Sequence, residues 1–401
     1  MTAPSDLLLV GGYPYFTGGS QPSNRMAAAW RELGGRVLYL ELGGPDAPYR
    51  ERAKSAGTEP VEAEPGIFVL RLWKLAGMPW SYPNFLRRLN LARQLRRVGV
   101  ALKRINFQPG QFIALYYGWF WQEWLDRLPA RLHVYDCIDE HREYPVVEKR
   151  PRMQAYVWKH EQQQLKATDL LVVTSPLLLR DREALAAKNV ILPNGVDWAA
   201  WSACVDAPPE EPADMAKLPH PRAVLTGNLQ RKLDFTALDK LAQARPEIQI
   251  VLIGPLEPGT ALPPNRPNLH WLGAKPYREL EAYYAHADVG LLPLRRTPYN
   301  AASCPLKLLE YLAVGLPVAA SRTFVTEYWS TRAGCAVCLY DAPEAFGTAL
   351  DAALEAGRKT SRHQIRQSVR DATWTARALA LWKTCGEISN RQAKPKGPAE
   401  D

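Results

Sequence analysis

SCPLKLLEYLAVGLPVAAS, residues 303–321, combines a short amphipathic helix with a continuous apolar run. Pro305 suits a first helical position because the N–H group that proline lacks has no partner there, and Gly315 with Pro317 ends the helix about three turns later. The run that follows has the continuous apolar character of a strand buried on both faces. The stretch therefore predicts a helix that leads into a parallel sheet.

The start of this helix is a candidate anion-binding site. Backbone N–H groups from Cys304 to Lys307 have no helical partner, and the helix dipole favours a negative group there by roughly 0.3 to 1 kcal/mol. Lys307 adds a cation, and Glu310 lies three residues later on the same face. The pattern predicts a diphosphate at the helix start and ribose hydroxyls at Glu310. An ordinary amphipathic helix with a surface pair of charges is the alternative.

Residues 305–321 resemble the donor-site segment of GT-B glycosyltransferases, especially families 1 and 4, in which a Glu of this helix holds the donor ribose. Two further stretches fit the same resemblance in the same order. Residues 170–197 resemble the end of the N-terminal domain, and residues 268–294 resemble the strand at the nucleotide base with its following helix and strand. Together with AVLTGNLQRKLDF at 223–235, they cover most of residues 170–321. The resemblance implies two Rossmann-like doubly wound domains facing a cleft.

The chain departs from the pattern of this family at two places. Many retaining members carry a second Glu eight residues before Glu310, where this chain has Ala302. Many members also separate an Arg and a Lys after the first strand of the second domain, whereas Arg231 and Lys232 are adjacent. The resemblance implies that this loop contacts the donor diphosphate. The predicted donor-binding residues are Gly12, Gly227, Asn228, Arg231, Lys232, Ser303, Cys304, Pro305, Leu306, Lys307 and Glu310.

Short apolar runs alternate with helical stretches along the whole chain, which indicates buried parallel strands with crossover helices. Residues 1–202 form the predicted acceptor-side domain, and the proline-rich, acidic residues 203–221 form a predicted linker. The pattern resumes at 222–370, the predicted nucleotide-sugar domain. The resemblance implies that a helix at 371–389 returns to the first domain, and residues 390–401 read as a disordered tail.

Four ionisable residues lie where the apolar run LHVYDCI at 132–138 ends, namely Asp136, Asp139, Glu140 and His141. A carboxylate or imidazole within reach of an acceptor hydroxyl removes its proton during sugar transfer. We predict Asp139, and next His141, as this catalytic base. Only an inverting reaction strictly requires one, and the alternative is that these residues cap a turn.

No metal or other cofactor is expected beyond the donor itself. The sequence has no Asp-x-Asp motif for a metal-bound diphosphate, and Cys335 with Cys338 lacks nearby partners for a zinc site. Arg231 and Lys232 would instead stabilise the leaving nucleotide. Glu41, at the end of the second predicted strand, has the position of the acid that binds the ribose in a dinucleotide fold. The chain lacks the Gly-x-Gly-x-x-Gly spacing of an NAD site, so no such site is predicted.

The composition fits two domains without a membrane span. The chain has 401 residues with 47% hydrophobic content and six scattered cysteines, which suits reduced thiols in the cytoplasm. No run approaches the roughly 20 apolar residues that cross a bilayer. The first residues, MTAPSDLLLVGG, read as a strand and not as a signal peptide.

The net charge of +9 comes from one segment. No acid lies between Glu64 and Glu123, while residues 71–104 hold nine cations interleaved with Leu, Phe and Trp. A basic amphipathic helix with aromatic flanks suits an anionic membrane surface. We therefore predict a cytoplasmic protein that binds peripherally at the inner membrane face. Nucleic acid is not expected, because no recognised binding module accompanies the patch, and an ordinary solvated helix face is the alternative.

The sequence as a whole predicts a metal-independent hexosyl- or related glycosyltransferase that acts on a saccharide or lipid-linked acceptor in surface polysaccharide or glycoconjugate synthesis. Two other interpretations stay open. A nucleotide-sugar 2-epimerase also uses a GT-B-like pair of domains, and the missing acid at Ala302 is compatible with a catalytically inactive membrane-associated scaffold.

Overall fold

The computed structural model describes residues 4–11, 15, 21–42, 59–72, 84–144, 147–261, 265–332 and 336–393. Within these ranges the chain forms two compact units. The first comprises the described parts of 1–142, 147–193 and 375–393, and the second comprises those of 143–146 and 194–374. Each unit is built around one sheet. None of the helices in the described ranges combines the length and the apolarity needed to cross a bilayer.

The first unit contains an eight-stranded sheet in its described part, with the order β3-β4-β2-β1-β5-β6-β7-β8. Neighbouring strands are parallel, except that β3 runs antiparallel to β4 at one edge. The strands β1, β5 and β7 are buried along their whole length, as their continuous apolar sequences predict. The strands are β1 Leu7–Gly11, β2 Val37–Leu42, β3 Val61–Glu64, β4 Ile67–Leu72, β5 Ile113–Tyr117, β6 Leu132–Cys137, β7 Leu170–Val173 and β8 Asn189–Ile191.

Helices connect these strands and cover the sheet. Proline begins three of the helices, at Pro22, Pro151 and Pro176. The α-helices of the first unit are α1 Pro22–Glu32, α2 Asn84–Arg104, α3 Gln122–Leu125, α4 Pro151–Lys166 and α5 Pro176–Leu179, and two single turns of 3-10 helix lie at His141–Glu143 and Glu183–Leu185.

The second unit contains a six-stranded parallel sheet in its described part, with the order β11-β10-β9-β12-β13-β14. Counted within the unit, this is the order 3-2-1-4-5-6 of a doubly wound dinucleotide fold. The chain reverses its winding direction between β9 and β12, so the loops after these two strands mark the expected ligand position. The strands are β9 Arg222–Thr226, β10 Gln249–Ile253, β11 Leu269–Trp271, β12 Val289–Leu292, β13 Val318–Ser321 and β14 Val337–Tyr340.

Helices of the second unit pack against this sheet around one buried apolar core. They are α6 Trp198–Asp206, α7 Phe235–Ala244, α8 Leu280–Ala285, α9 Pro298–Ala302, α10 Leu306–Ala313, α11 Phe324–Ser330, α12 Phe346–Lys359 and α13 Arg362–Gln367, with 3-10 turns at Tyr277–Glu279 and Pro343–Ala345. A last helix, α14 Trp374–Ala393, begins at the boundary, and its residues from Thr375 onward belong to the first unit.

A bidentate ion pair attaches α14 to the first unit. The Arg377 guanidinium donates to both carboxylate oxygens of Asp136 at 2.8 and 2.9 Å, and both side chains are almost fully buried. Its Nε also donates to the carbonyl oxygens of Leu192 and Pro193. Asp136 therefore holds the last helix in place.

The predicted α/β class with two doubly wound sheets is confirmed, while some boundaries differ from the sequence prediction. The strands β3, β4 and β14 were not predicted. The predicted linker at 203–221 differs from the structure, because α6 extends to Asp206 and Trp201, Cys204 and Met215 are buried in the core of the second unit. The predicted disordered tail at 390–401 differs from the structure at its start, because α14 extends to Ala393, and residues 394–401 lie outside the described residues.

Candidate functional site

The loops after β9 and β12 are joined to each other at the carboxyl end of the second sheet. The backbone N–H of Asp234 donates to the carbonyl of Pro293, and that of Arg295 donates to the carbonyl of Lys232. The buried Asn300 amide donates to the carbonyls of Lys232 and Arg295 at 2.9 and 2.8 Å. These contacts fix the position of Lys232 beside the point where the sheet reverses its winding.

Two glycines form a surface without side chains at the same sheet edge. Gly227, directly after β9, has φ +94°, and a Cβ there would lie 2.8 Å from Nζ of Lys307. Gly254, directly after β10, has φ +148°, and a Cβ there would lie 1.9 Å from the carbonyl oxygen of Gly227. Both positions have positive φ, and a Cβ at either would meet neighbouring atoms of the chain, so glycine permits this close packing at the sheet edge.

Lys307 places its ammonium group against this glycine surface. Its Nζ donates to the carbonyl oxygen of Thr226, the last residue of β9, and the side chain is half-buried. Among the described residues, no carboxylate lies within ion-pair distance of it. Burial and the nearby positive charge of Lys232 lower the pKa of Lys307 from 10.5 to about 7, although the charge of Glu310 opposes this. Two cations held together in this way create a site for an anion.

The helix α10 starts at this site without a side-chain cap. Pro305 is the N-cap residue and Leu306 the first helical residue, one position later than predicted from Pro305. The Leu308 N–H donates to the carbonyl of Pro305 at 3.3 Å, and a helix start without a side-chain cap is a position where an anion can accept from backbone N–H groups. Gly315 ends the helix with φ +71°, as the sequence predicted.

Ser303 and Cys304 stabilise the turn before α10. The Ser303 hydroxyl donates to the carbonyl of Asn300 at 3.0 Å. Cys304 is buried, and its carbonyl accepts a 2.9 Å bond from the buried amide of Asn194. In the structure these two side chains therefore shape the loop, and the prediction that they contact a donor stays a prediction.

Glu310 is buried one turn into α10 and is held by a tyrosine. The Tyr277 hydroxyl donates to Oε1 of Glu310 at 2.6 Å, and the Tyr277 ring packs edge-on against Trp201. This contact orients the carboxylate. Lys307 and Glu310 thus bond to different partners, although they lie on neighbouring parts of the same helix.

The remaining predicted donor residues differ in their exposure. Asn228 and Arg231 are exposed, and Arg231 pairs loosely with Glu257, at 3.7 Å between Nε and Oε2. Lys232 is half-buried and close enough to Lys307 to affect its pKa. Gly12 lies outside the described residues. The structure thus brings Gly227, Lys232 and Lys307 together, and it places Arg231 farther out on the surface.

In the first unit, the residues after β6 surround a buried arginine. Arg182 is fully buried and donates to Glu161 from Nε at 2.8 Å and from Nη2 at 3.1 Å. It also donates to both carboxylate oxygens of Glu140 at 3.1 Å. Arg142 pairs with Glu140 from the solvent side, so Glu140 is held in its ionised form and its pKa falls to about 2.

His141 is part of the same buried cluster. Its Nδ1 lies 3.8 Å from Oε1 of Glu161 and 3.3 Å from the Tyr135 hydroxyl. Burial alone would lower the pKa of His141, but hydrogen bonds and charges at Cys137 and Glu161 outweigh it and raise the pKa to about 10. The imidazole is therefore protonated at neutral pH and does not accept a proton. Asp136 and Glu140 are in ion pairs, and Asp139 is half-buried. The assignment of Asp139 as the base stays a prediction.

Cys137, His141 and Glu161 form a cluster whose donor atoms all lie within 4.8 Å of one another, a spacing that a metal ion requires. The surroundings do not fit a cation. Arg182 donates to both oxygens of Glu161, and the protonated His141 adds a second positive charge. The cluster is instead a network of ion pairs.

Several residues that build the site carry no recognisable signal in the sequence. Thr226, Tyr277 and Asn194 contact residues 304–310 only because distant parts of the chain meet there. Gly254 packs against Gly227 for the same reason.

Residues 220–356 match the family described as glycosyl transferases group 1. This range includes Gly227, Lys232, Lys307 and Glu310 of the predicted donor site, whereas Asn194 lies before it. The match lies within the second unit. A protein named as a teichuronic acid biosynthesis glycosyltransferase, TuaH of Bacillus subtilis (strain 168), is 29% identical over 147 residues. That match covers 34% of this chain and 36% of TuaH, so it spans about a third of either protein.

Solved structures resemble almost the whole chain. Sucrose-phosphate synthase from Thermosynechococcus elongatus superposes with a TM-score of 0.65 at 19% identity, covering 96% of this chain and 100% of that chain. The UDP-forming alpha,alpha-trehalose-phosphate synthase from Burkholderia vietnamiensis gives 0.65 at 12% identity, with 96% and 100% covered. A glycosyltransferase from Rickettsia africae ESF-5 gives 0.63 at 12%, with 96% and 99% covered. The chain therefore has the GT-B fold of these structures, as the resemblance in its sequence implied.

Proposed function

We propose that this protein is a glycosyltransferase of group 1, and that it moves a hexose or related sugar from a nucleoside-diphosphate sugar to an acceptor hydroxyl. The observation that carries this proposal is the ammonium of Lys307. It lies at the carboxyl end of β9, beside Gly227 and near Lys232, without a carboxylate in ion-pair distance among the described residues. A pyrophosphate bound there supplies the missing negative charge, and Glu310 one turn later meets the ribose.

The proposed reaction breaks the bond between the anomeric carbon and the β-phosphate oxygen, and it forms a bond from that carbon to the acceptor oxygen. The nucleoside diphosphate leaves with the bonding electrons and therefore gains negative charge. Lys307, Lys232 and the first N–H groups of α10 stabilise that charge. The acceptor proton passes to Asp139 as the glycosyl bond breaks.

Glu310→Gln is expected to weaken the binding of a nucleoside diphosphate about 10-fold, because a charged acceptor of ribose hydrogen bonds becomes a neutral one. Titration calorimetry with UDP, GDP, dTDP and ADP measures this change and identifies the preferred base. Inorganic pyrophosphate is the internal control, since it lacks the ribose and should bind both proteins equally. Glu355→Gln, an exposed acid on α12, is the matched variant. Unchanged nucleotide binding by Glu310→Gln would contradict the ribose assignment.

Asp139→Asn is expected to lower turnover by about 100- to 10,000-fold while donor binding stays unchanged, because only the proton acceptor is lost. Acceptor-dependent release of nucleoside diphosphate measures turnover, and calorimetry measures binding. Asp126→Asn, which alters an exposed acid of the same unit, is the control. Turnover that survives in Asp139→Asn excludes this residue as the base and favours a retaining reaction, which needs none.

We further propose that the acceptor is a saccharide or lipid-linked intermediate of surface polysaccharide synthesis at the cytoplasmic side. The support is the similarity to TuaH, whose name assigns it to teichuronic acid biosynthesis. Incubation with the preferred nucleotide sugar and no acceptor distinguishes a transferase from an epimerase, with chromatography and mass spectrometry as the measurement. A glycosyltransferase leaves most donor intact under these conditions. An epimerised sugar or nucleotide sugar would instead indicate the epimerase, and inactivity with all acceptors would indicate the scaffold.

A further inference from the structure

The helix α2, Asn84–Arg104, buries one side and exposes an unusual combination of residues on the other. Its inner side packs Leu91, Val98, Ala101 and Leu102 against the first sheet. On the outer side, Phe85, Leu89 and Val100 are 62%, 64% and 55% exposed. Positions 85, 89 and 100 lie within about 60° of one another around a helix of 3.6 residues per turn. They therefore form one apolar stripe in contact with solvent.

Cations surround this stripe. Arg88, Arg93, Arg96 and Lys103 are exposed, and none of them forms an ion pair with a residue in the described ranges. The segment of 58 residues from Pro65 to Gln122 contains no Asp or Glu that could neutralise them. Burial lowers the pKa of the half-buried Arg97 on the same helix, and the neighbouring charge of Arg93 lowers it further.

Two cations of the segment do not contribute to this face. Arg71 on β4 donates to the buried carboxylate of Glu41 at 2.8 Å, so its charge is compensated inside the unit. Arg104 at the end of α2 pairs with Glu59. Residues 73–83, which hold Lys74 and the aromatic flank named in the sequence analysis, lie outside the described residues. The exposed positive charge is therefore concentrated on α2 itself.

We propose that the outer face of α2 docks onto an anionic membrane surface, with Phe85, Leu89 and Val100 entering the headgroup region and the four cations contacting lipid phosphates. The charge complementarity is the argument for this partner, because unpaired cations attract anionic lipids. The apolar stripe decides between a membrane and a nucleic acid. A nucleic acid offers a polyanion without an apolar phase and would leave the stripe in water, whereas a bilayer buries it.

Vesicle co-sedimentation tests the proposal without reference to the enzymatic activity, so its outcome is independent of the proposed function. The wild-type protein is expected to bind vesicles of phosphatidylcholine mixed with phosphatidylglycerol and to bind pure phosphatidylcholine vesicles much less. Binding should also weaken as the salt concentration rises. Arg93→Gln with Arg96→Gln is expected to lower the partition coefficient about 30-fold, since each cation near the surface contributes by a factor of about 5.

Two further variants separate the contributions. Arg358→Gln with Lys359→Gln removes the same net charge from α12 in the second unit and should bind like the wild type. Phe85→Ser with Leu89→Ser keeps every cation and is expected to reduce binding at high salt, where the apolar contribution remains. Circular dichroism confirms that each variant is folded, which is expected because all these side chains are exposed.

Three results would overturn the proposal. Equal binding of Arg93→Gln with Arg96→Gln and of the wild type would show that the face is not the contact. Equal binding to both vesicle types would show that charge is not recognised. Tight binding of a DNA or RNA duplex that depends on the arginines but not on Phe85 and Leu89 would assign the face to nucleic acid.

Discussion

We expect Lys307→Met to weaken the binding of nucleoside diphosphates about 100-fold and to stabilise the ligand-free protein. The loss of affinity follows because the variant lacks the cation that meets the pyrophosphate at the edge of the second sheet. The gain in stability follows because Lys307 is half-buried, contacts only a carbonyl in the described structure and lies near Lys232. An interaction that destabilises the fold while it serves a ligand is typical of a binding site.

The lowered pKa of Lys307 determines how its effect on protein stability changes with pH. Lys307 has a folded-state pKa of about 7, below its usual 10.5, so folding disfavours its proton. The destabilisation is full below pH 7 and disappears as the pH approaches 10.5. We expect Lys307→Met to raise the free energy of unfolding by about 2 kcal/mol at pH 7, less than the pKa change alone implies because the side chain retains contact with water. Thermal unfolding from pH 7 to 10 measures the difference, with the exposed Lys217→Met as control.

As the pH rises above 7, the wild type should lose affinity for nucleotide, although Lys307 destabilises the fold less. A bound pyrophosphate favours the protonated lysine, so binding takes up protons above pH 7 and the affinity of the wild type falls as the pH rises. Calorimetry in two buffers of different ionisation enthalpy measures the proton uptake. Lys307→Met should show no such uptake. If the variant binds nucleotide like the wild type, the pyrophosphate does not bind at the start of α10.

The fold was largely predictable because buried parallel strands have continuous apolar sequences. The missed strands show the limit of that signal. β4 is an apolar run, IFVLRL, but it follows the acidic edge strand β3 and a turn with a Pro, so it was not recognised as part of the sheet. β14 has four residues, VCLY, which are too few to establish a period. Both lie toward one edge of their sheet.

The predictable part of the site was the part contained in one local segment. The segment at 303–321 predicted a helix that carries both Lys307 and Glu310. The structure contains this helix, α10, with the two residues about one turn apart. Their partners were not predictable, because Thr226 and Tyr277 approach only through the strand order of the second sheet. Arg231 was favoured for its charge, but Glu257 compensates it on the surface.

The residues after β6 illustrate a different limit. Position along the chain made Asp136, Asp139, Glu140 and His141 candidate bases, and among them we predicted Asp139 and next His141. Their difference comes from Arg377 and Arg182, which lie 241 and 42 residues from the acids that they bind, and no local pattern reveals such pairing. Both acids are therefore buried against a cationic partner that the sequence does not indicate.

Arg182→Met is expected to destabilise the first unit by about 3–5 kcal/mol, because it leaves two carboxylates of the buried cluster without their shared cation. Glu161 is fully buried and keeps only His141 as a cationic partner, whereas Glu140 retains Arg142. The matched control is Arg142→Met, whose side chain is 24% exposed and whose loss should cost about 1 kcal/mol. Calorimetric unfolding of each variant at neutral pH provides the comparison.

The pH dependence separates this mechanism from a simple loss of packing. In the wild type the pKa of Glu140 is lowered from 4.5 to about 2 and that of Glu161 is lowered as well, because of Arg182 and the other cations of the cluster. These pairs stabilise the fold above pH 4.5, and the stabilisation is lost as the pH falls toward about 2. Removal of Arg182 raises both pKa values, so the variant approaches the wild type in stability over that acidic range. A difference that stays constant down to pH 2 would mean that Arg182 stabilises the unit through its volume and not through its charge.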